Sequence, residues 1–159
     1  MVPEKAPPTI LIDTRERQPW LFTEAYKAGK IAGTVLTKID AGDYMVKDCP
    51  TLITIERKKS MLELYNNFIP QTKKERFHRE MQRMQHIKYK YIVVEQTWDA
   101  LYDENNFYFA YNNKAFAGNL VMANLISIMN KYGVHVIFAG REHAEHTAIS
   151  ILLKAYHSA

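Results

Sequence analysis

Cysteine is almost absent from this 159-residue sequence, which contains only Cys49. A single cysteine cannot form an internal disulfide and is a poor basis for a zinc-thiolate site. The histidines show no metalloprotease helix spacing, no run of eighteen apolar residues occurs, and the N-terminus has no signal-peptide pattern. These absences argue against a secreted, membrane-spanning or zinc-protease class. We therefore expect an intracellular, reducing compartment: the cytoplasm, or a host cytoplasm if a phage encodes the chain.

Composition indicates one globular domain. Hydrophobic residues make up 47% of the chain and charged residues 24%, which is ordinary for a folded protein. The length allows a proper core. We expect residues 1–8 to be a disordered, proline-rich lead-in and residues 9–159 to form a single domain.

Apolar patterning predicts a mixed α/β fold, with a central sheet flanked by helices. The predicted strands are 9–13, 34–39, 43–46, 51–58, 91–95 and 135–138. The predicted helices are 60–69, 72–85, 119–132 and 142–156, with a short helix or loop at 20–29. Residues 98–116, which are rich in asparagine and aromatic side chains, are predicted to be irregular.

Two neighbouring predicted strands carry charged residues that suggest a metal site. Asp43 follows Gly42, and Glu56 and Lys58 should point to one face because strand side chains alternate. Two carboxylates can hold a hard divalent cation, which polarises a phosphoryl oxygen and prepares a water for attack. A nearby lysine would stabilise charge in the transition state. Taken alone, the Glu-Arg-Lys triplet is more often a solvated strand end.

Charged residues also end the first predicted strand. The apolar run 10–12 stops suddenly at Asp13, which is followed by Arg15 and Glu16. A charged group at the end of a buried strand costs free energy unless an opposite charge pairs with it or it serves a function. Open α/β sheets place functional groups at this position. These residues are therefore a third element of the candidate site.

The three motifs, at 12–16, 42–44 and 56–58, resemble the nuclease domain of the XPF-type structure-specific endonuclease family, within the PD-(D/E)XK superfamily. The resemblance spans nearly the whole chain and implies a restriction-endonuclease-like fold. It implies the following catalytic residues: Asp13, Asp43, Glu56 and Lys58. The metal, Mg²⁺ or Mn²⁺, is expected on Asp43, Glu56 and the Arg57 backbone carbonyl, with Asp13 acting on it directly or through water.

Further residues are expected to support catalysis or to contact DNA. The supporting set is Arg15, Glu16, Arg57, Arg76 and Glu80. The DNA-binding set is Lys59, Lys73, Lys74, Arg79 and Arg83. Most of these cations belong to a basic segment, residues 73–90, whose charge is typical of a phosphate-binding surface. A merely solvated helix face is the alternative.

The chain departs from the family pattern after the Glu-Arg-Lys triplet. Leu62 stands where family members usually have an Asp, which a one-residue insertion at Lys59 would explain. Ser60 and Glu63 then form a capping box, in which Glu63 reaches back to the Ser60 amide. The insertion leaves open whether Lys58 or Lys59 is the working lysine, and Lys58 is preferred because it shares the Glu56 face. A second departure is Glu80, where the family often has Gln.

The resemblance implies a stand-alone, metal-dependent DNA endonuclease without a helicase or helix-hairpin-helix module. We expect it to act on branched or single/double-strand-junction DNA in repair or recombination. The alternatives are a catalytically weak DNA-binding partner subunit, a scaffold of the same fold, or a nuclease of other specificity: exonuclease, nicking enzyme or Holliday-junction resolvase. A homodimer through the C-terminal helices, residues 119–157, is also expected, because helix 119–132 is strongly apolar and one face of the last helix carries Ala144, Ala148, Ile151, Leu152 and Ala155. Burial of both helices within one core is the alternative. The aromatic segment 101–111 could stack on unpaired bases or cover a sheet edge.

Overall fold

The computed structural model describes residues 3–159 and contains six strands and five α-helices. The strands are β1 (Thr9–Asp13), β2 (Gly33–Thr37), β3 (Tyr44–Val46), β4 (Ile53–Lys58), β5 (Tyr89–Val94) and β6 (His135–Phe138). The helices are α1 (Thr23–Lys27), α2 (Met61–Phe68), α3 (Gln71–Arg83), α4 (Lys114–Tyr132) and α5 (Ala144–Ser158). Two 3₁₀ segments, Trp98–Tyr102 and Glu104–Asn113, connect β5 to α4.

The strands form one mixed sheet in the order β2-β1-β3-β4-β5-β6. The β1–β3 and β3–β4 pairs are antiparallel, whereas β1–β2, β4–β5 and β5–β6 are parallel. Parallel neighbours need long crossovers, and α2 with α3 provides the one from β4 to β5. This architecture confirms the predicted fold class, a mixed sheet flanked by helices.

A hydrophobic core lies on each face of the sheet. The first core joins the sheet to α2, α3 and α4, and the second joins it to α1 and α5. Side chains alternate along β4, so Ile53 and Ile55 enter the second core. Thr54, Glu56 and Lys58 therefore face the first core, as the strand period requires. Thr54 is fully buried there and donates to the Ala41 carbonyl at 2.7 Å, whereas Glu56 and Lys58 lie toward the other end of the strand.

Most predicted elements are present, with shifted ends. Strand β5 begins at Tyr89, two residues before its predicted start, because Tyr89 pairs with Ile53 in the parallel ladder. Residues 98–116 are not simply irregular: they contain the two 3₁₀ segments, and α4 begins at Lys114. Leu101, Phe107 and Ala110 are buried against the first core, so aromatic packing orders this segment.

The face of α5 that suggested a dimer surface is used inside the subunit. Ala144, Ala148, Leu152 and Ala155 are buried in the second core. The prediction that they are free to face a partner is therefore wrong, because the sheet already covers them. On α4, which is buried along one side, Phe116, Leu120 and Ile126 remain exposed.

The predicted lead-in contacts the domain in the part that is described. Lys5 Nζ donates to the carbonyl oxygens of Tyr156, at 2.8 Å, and Ala159, at 2.6 Å. The Tyr156 hydroxyl donates to the Ala6 carbonyl. The prediction of disorder does not account for these contacts, and residues 1–2 lie outside the described residues. Within residues 3–159, no helix combines the length and apolar character needed to cross a bilayer.

Gly118 allows α4 to pack directly on the backbone of the first 3₁₀ segment. A Cβ at Gly118 would lie 1.8 Å from the carbonyl oxygen of Leu101. Gly→Ala in an exposed helix interior normally stabilises by about 1 kcal/mol. We expect Gly118→Ala to lower the free energy of unfolding by ~1–3 kcal/mol instead, as overpacking does. Urea denaturation beside Asn119→Ala, an exposed neighbour, is the measurement; equal stability of the two variants would contradict the prediction.

Candidate active site

The bend at Gly42 fixes the position of Asp43. Gly42 has φ +85°, and a Cβ there would lie 2.0 Å from Thr54 Oγ1, so only glycine is compatible with this turn. The Asp43 amide donates to the Ile55 carbonyl at 2.7 Å, and its carbonyl accepts from the Asp13 amide at 2.9 Å. The Asp43 carboxylate accepts from the Arg57 amide at 2.8 Å. Asp43 is therefore held at the ends of β1 and β4 by backbone contacts.

Glu56 and Lys58 lie on the same face of β4, as the strand period predicts. Lys58 Nζ lies 3.3 Å from Glu56 Oε1 and 3.7 Å from Glu63 Oε1. Its side chain is only 5% exposed, and its ammonium lies over the Phe77 ring. Lys58, rather than Lys59, is thus the lysine beside the Glu56 carboxylate.

Ser60 and Glu63 begin α2 nearly as predicted. The Glu63 amide donates to Ser60 Oγ at 3.2 Å. Glu63 Oε2, however, accepts from the Lys59 amide at 2.8 Å, not from the Ser60 amide. The expected reciprocal bond of the capping box is therefore wrong by one residue. The other oxygen, Oε1, is left to face Lys58.

Asp13 is buried at the end of β1 and is fully engaged by neighbours. Its Oδ2 lies 2.6 Å from Arg15 Nε, and its Oδ1 accepts from the Ile39 amide at 3.0 Å. Arg15 also donates to the Ile39 carbonyl at 2.9 Å. These bonds give Asp13 a clear role in anchoring the loop after β2. They leave it less free than Asp43 to bind another group.

The Arg57 side chain lies on the opposite face of the sheet from Glu56. Arg57 Nη1 lies 3.1 Å from Glu16 Oε2, and Nη2 lies 2.9 Å from Glu95 Oε1. The Tyr44 hydroxyl also donates to Glu16. Glu16 lies at the end of the sheet, where it both binds Arg57 and lines the cleft, whereas Arg57 reaches Asp43 only through its backbone.

A cleft extends from the carboxylates along α3. One part of it is lined by Asp13, Arg15, Glu16, Asp40, Asp43, Glu56, Glu80 and Arg83. The adjoining part, which shares Glu56 and Glu80, is lined by Lys58, Glu63, Asn66, Asn67, Lys73, Arg76 and Phe77. The α3 residues among them recur every three or four positions and so occupy one helix face.

The predicted DNA-binding residues divide between two faces. Lys73, Arg76 and Arg83 line the cleft. Lys59, Lys74 and Arg79 are not among its lining residues, so the structure does not bring them to the site. Arg76 Nε lies 3.6 Å from Glu80 Oε1, one helical turn along, as the spacing predicted.

The site carries more negative charge than its cations neutralise. Burial and the Glu56 charge raise the pKa of Asp43 to about 8, although the bond from the Arg57 amide opposes the shift. Burial also raises the pKa of Glu56, against the effect of Lys58. Burial lowers the pKa of Lys58, but the Glu56 and Glu63 carboxylates more than offset this and keep it above its ordinary value. An added cation would therefore stabilise both ionised carboxylates.

Asp43 and Glu56 fit a magnesium-type site better than an all-protein metal cage. Within residues 3–159, no three His, Cys, Asp or Glu side chains are grouped so as to hold a metal by themselves. Mg²⁺ commonly binds through one or two carboxylates and keeps several waters. The Arg57 amide points to Asp43, and a strand residue's N–H and C=O point to the same edge. The Arg57 carbonyl therefore lies on the edge that Asp43 occupies.

Several residues of the site were missed by the sequence reasoning. Asp40, Asn66 and Asn67 line the cleft, and Glu95 binds Arg57. Glu95 was visible as the charged residue that ends an apolar strand, the same signal that identified Asp13. Asn66 and Asn67 lie mid-helix on the cleft side of α2 and carry no sequence signal of their own.

Comparison with known proteins places the chain in a family. The model of the ERCC4 domain matches residues 12–150. The fold is similar to that of XPF from Aeropyrum pernix, with TM-score 0.63 and 16% identity over 92% of this chain and 64% of that one. For XPF from Aeropyrum pernix in complex with DNA, the TM-score is 0.64 at 15% identity, over 95% and 66% of the two chains. This chain therefore spans about two thirds of the length of those structures. No curated protein sequence matches it significantly.

The raised pKa of Asp43 predicts a pH dependence of stability. An acid whose pKa rises from 3.8 to about 8 on folding favours the protonated, folded state, so stability is lost as pH rises through that window. Asp43→Asn should remove this loss and stabilise the metal-free protein at pH 8 by more than ~1.4 kcal/mol, the equivalent of one pKa unit. Urea denaturation in EDTA at pH 5 and pH 8 is the measurement. Asp40→Asn, which removes an exposed charge from the same cleft, is the control; an Asp43→Asn variant less stable than the wild type at pH 8 would contradict the prediction.

Proposed function

This chain belongs to the ERCC4 domain family, and on that premise we propose that it is a metal-dependent DNA endonuclease that hydrolyses phosphodiester bonds. The observation that carries the proposal is the meeting of the Asp43 and Glu56 carboxylates with Lys58 in a cleft lined by cations. A purely structural cluster would not be expected to leave two half-buried carboxylates short of positive charge.

Each residue of the site has a separate role in the proposed reaction. Asp43, Glu56 and the Arg57 carbonyl would hold Mg²⁺ or Mn²⁺, and the bound ion would polarise a phosphoryl oxygen and lower the pKa of a water. Lys58, protonated and fixed by two carboxylates, stabilises negative charge on the phosphate in the transition state. Asp13 acts through position, by holding the Asp43 carbonyl and the loop at Ile39.

The cations on α3 orient the substrate. Lys73, Arg76 and Arg83 line the cleft from α3, where they would bind backbone phosphates and so position the nucleic acid. An archaeal XPF of similar fold has been solved in complex with DNA, which supports DNA as the substrate. Branched or junction-containing DNA is the class we propose. The competing interpretation is that the chain is a partner subunit that binds DNA but has lost catalysis. The presence of Asp43, Glu56 and Lys58 argues against it.

Assembly and compartment are part of the proposal. The exposed apolar side chains of α4, Phe116, Leu120 and Ile126, are the remaining candidates for a homodimer surface, since the corresponding face of α5 is buried. The single cysteine is compatible with a reducing, intracellular compartment.

Catalysis is tested by three substitutions in the carboxylate–lysine group. Glu56→Gln, Asp43→Asn and Lys58→Ala should each lower the cleavage rate by at least ~10²-fold, the cost of removing one electrostatic stabiliser. Affinity for DNA should change little, because the cations of α3 remain. The assay uses labelled duplex, flap, fork and four-way-junction DNA in EDTA, Mg²⁺ or Mn²⁺. Glu104→Gln, an exposed carboxylate outside the cleft, is the control. Cleavage by Glu56→Gln at the wild-type rate would refute the assignment.

DNA binding is tested by comparing the two faces of α3. Lys73→Ala, Arg76→Ala and Arg83→Ala together should flatten the dependence of log affinity on log salt by ~0.9 for each phosphate that the variant no longer neutralises. Lys74→Ala with Arg79→Ala, which removes cations outside the cleft, should leave most of the slope unchanged. Fluorescence anisotropy between about 50 and 200 mM salt is the measurement, because electrostatic binding weakens steeply over that range. Equal slopes for the two sets would mean that the cleft is not the DNA path.

A further inference from the structure

Arg57 is held by its side chain on one face of the sheet and contacts the site through its backbone. The guanidinium lies 4.1 Å from the Trp20 ring, and Nη1 donates to the Gln18 carbonyl at 2.7 Å. With Glu16 and Glu95 on its two Nη groups, the side chain is bound from several directions. Only Nε has no hydrogen-bond partner among the described residues. Such a side chain has little freedom to change rotamer without breaking several of these bonds.

Glu95 closes this arrangement from β5. It follows the last residue of the strand, is 8% exposed, and its amide donates to the Lys58 carbonyl at 2.8 Å. Its carboxylate lies 2.9 Å from Arg57 Nη2. Glu95 therefore contacts two consecutive residues of β4, one through its backbone and one through its side chain.

The Arg57 backbone connects these side-chain contacts to the candidate active site. Its amide donates to Asp43 Oδ2 at 2.8 Å. A small displacement of the Arg57 backbone would move that N–H away from the Asp43 carboxylate, and would also move the Arg57 carbonyl, which points to the same edge. The geometry of the two-carboxylate site thus depends on how firmly the Arg57 side chain is bound behind the sheet.

We propose that Glu95 is a positioning residue of the active site, which acts through Arg57 on the orientation of the Asp43 carboxylate and of the Arg57 carbonyl. The inference rests on the proposed nuclease function, and it concerns a residue, Glu95, that is not among those lining the cleft. Groups that orient metal ligands from behind typically account for 10–100-fold in metal affinity or activity.

The experiment measures the metal-free protein and metal binding as well as cleavage. Glu95→Ala should speed hydrogen exchange of the Arg57 amide, weaken Mn²⁺ binding in calorimetry by ~10-fold or more, and lower the cleavage rate. Glu95→Gln keeps an oxygen that can accept from Arg57 Nη2, and the remaining Arg57–Glu16 pair has no net charge. Amide exchange, Mn²⁺ affinity and cleavage rate in this variant should therefore be much closer to those of the wild type. If Glu95→Ala does not fold, the comparison is made between wild type, Glu95→Gln and Glu95→Asp, in which the carboxylate is withdrawn from Nη2.

A stability-matched control separates positioning from general weakening of the fold. Ile128→Val or Ile128→Ala, chosen to match the loss of unfolding free energy, removes core packing on α4 and should leave Mn²⁺ affinity and the Arg57 amide unchanged. If every Glu95 variant that folds shows the same Arg57 amide exchange and the same Mn²⁺ affinity as the wild type, the inference is overturned. The proposed function is not affected by that outcome. If the wild type neither binds Mn²⁺ nor cleaves DNA, the proposed function itself fails.

Discussion

The site depends on one hydrogen bond, from the Arg57 amide to the Asp43 carboxylate. Asp43 follows a left-handed glycine and leads directly into β3, between β1 and β4. Without a donor there, a half-buried carboxylate would lose much of its hydration without replacement. In this position burial, together with the Glu56 charge, raises the pKa of Asp43. The sheet edge is therefore built for an ionised pair that the protein alone stabilises poorly.

The two faces of β4 carry side chains with different roles. Glu56 and Lys58 lie on the cleft side and carry the proposed chemistry, whereas Arg57, between them, is bound behind the sheet by Glu16 and Glu95. This division follows from the two-residue period of a strand. A one-residue slip of β4 would bury Arg57 against α3 and place Glu56 behind the sheet. The β4–β5 ladder, which pairs Glu56 with Ile92, prevents that slip.

Much of this arrangement could be predicted from the sequence, because strand alternation and residue type are local properties. The common face of Glu56 and Lys58, the cap that Ser60 gives to the Glu63 amide and the position of Asp13 at a strand end all follow from patterns within a few residues. The division of cations on α3 is only partly local, since helix period identifies the faces but not which one meets the cleft. The Arg57–Glu95 pair joins residues 38 positions apart, and no local pattern predicts it. The burial of the small-residue face of α5 was likewise decided by the sheet, not by the helix.

The crossover between β4 and β5 forms one side of the cleft and is structurally distinct from the strands that hold the carboxylates. Helices α2 and α3 leave the sheet after Lys58 and return at Tyr89, and they carry the cations and amides that line the far side of the cleft. The carboxylates, by contrast, are set by backbone contacts among β1, β3 and β4. Changes in the outward-facing residues of the crossover can thus alter the width and charge of the groove while the carboxylate edge keeps its shape. The range of molecules that the groove admits could therefore change in evolution without any change in the residues of the proposed catalytic edge.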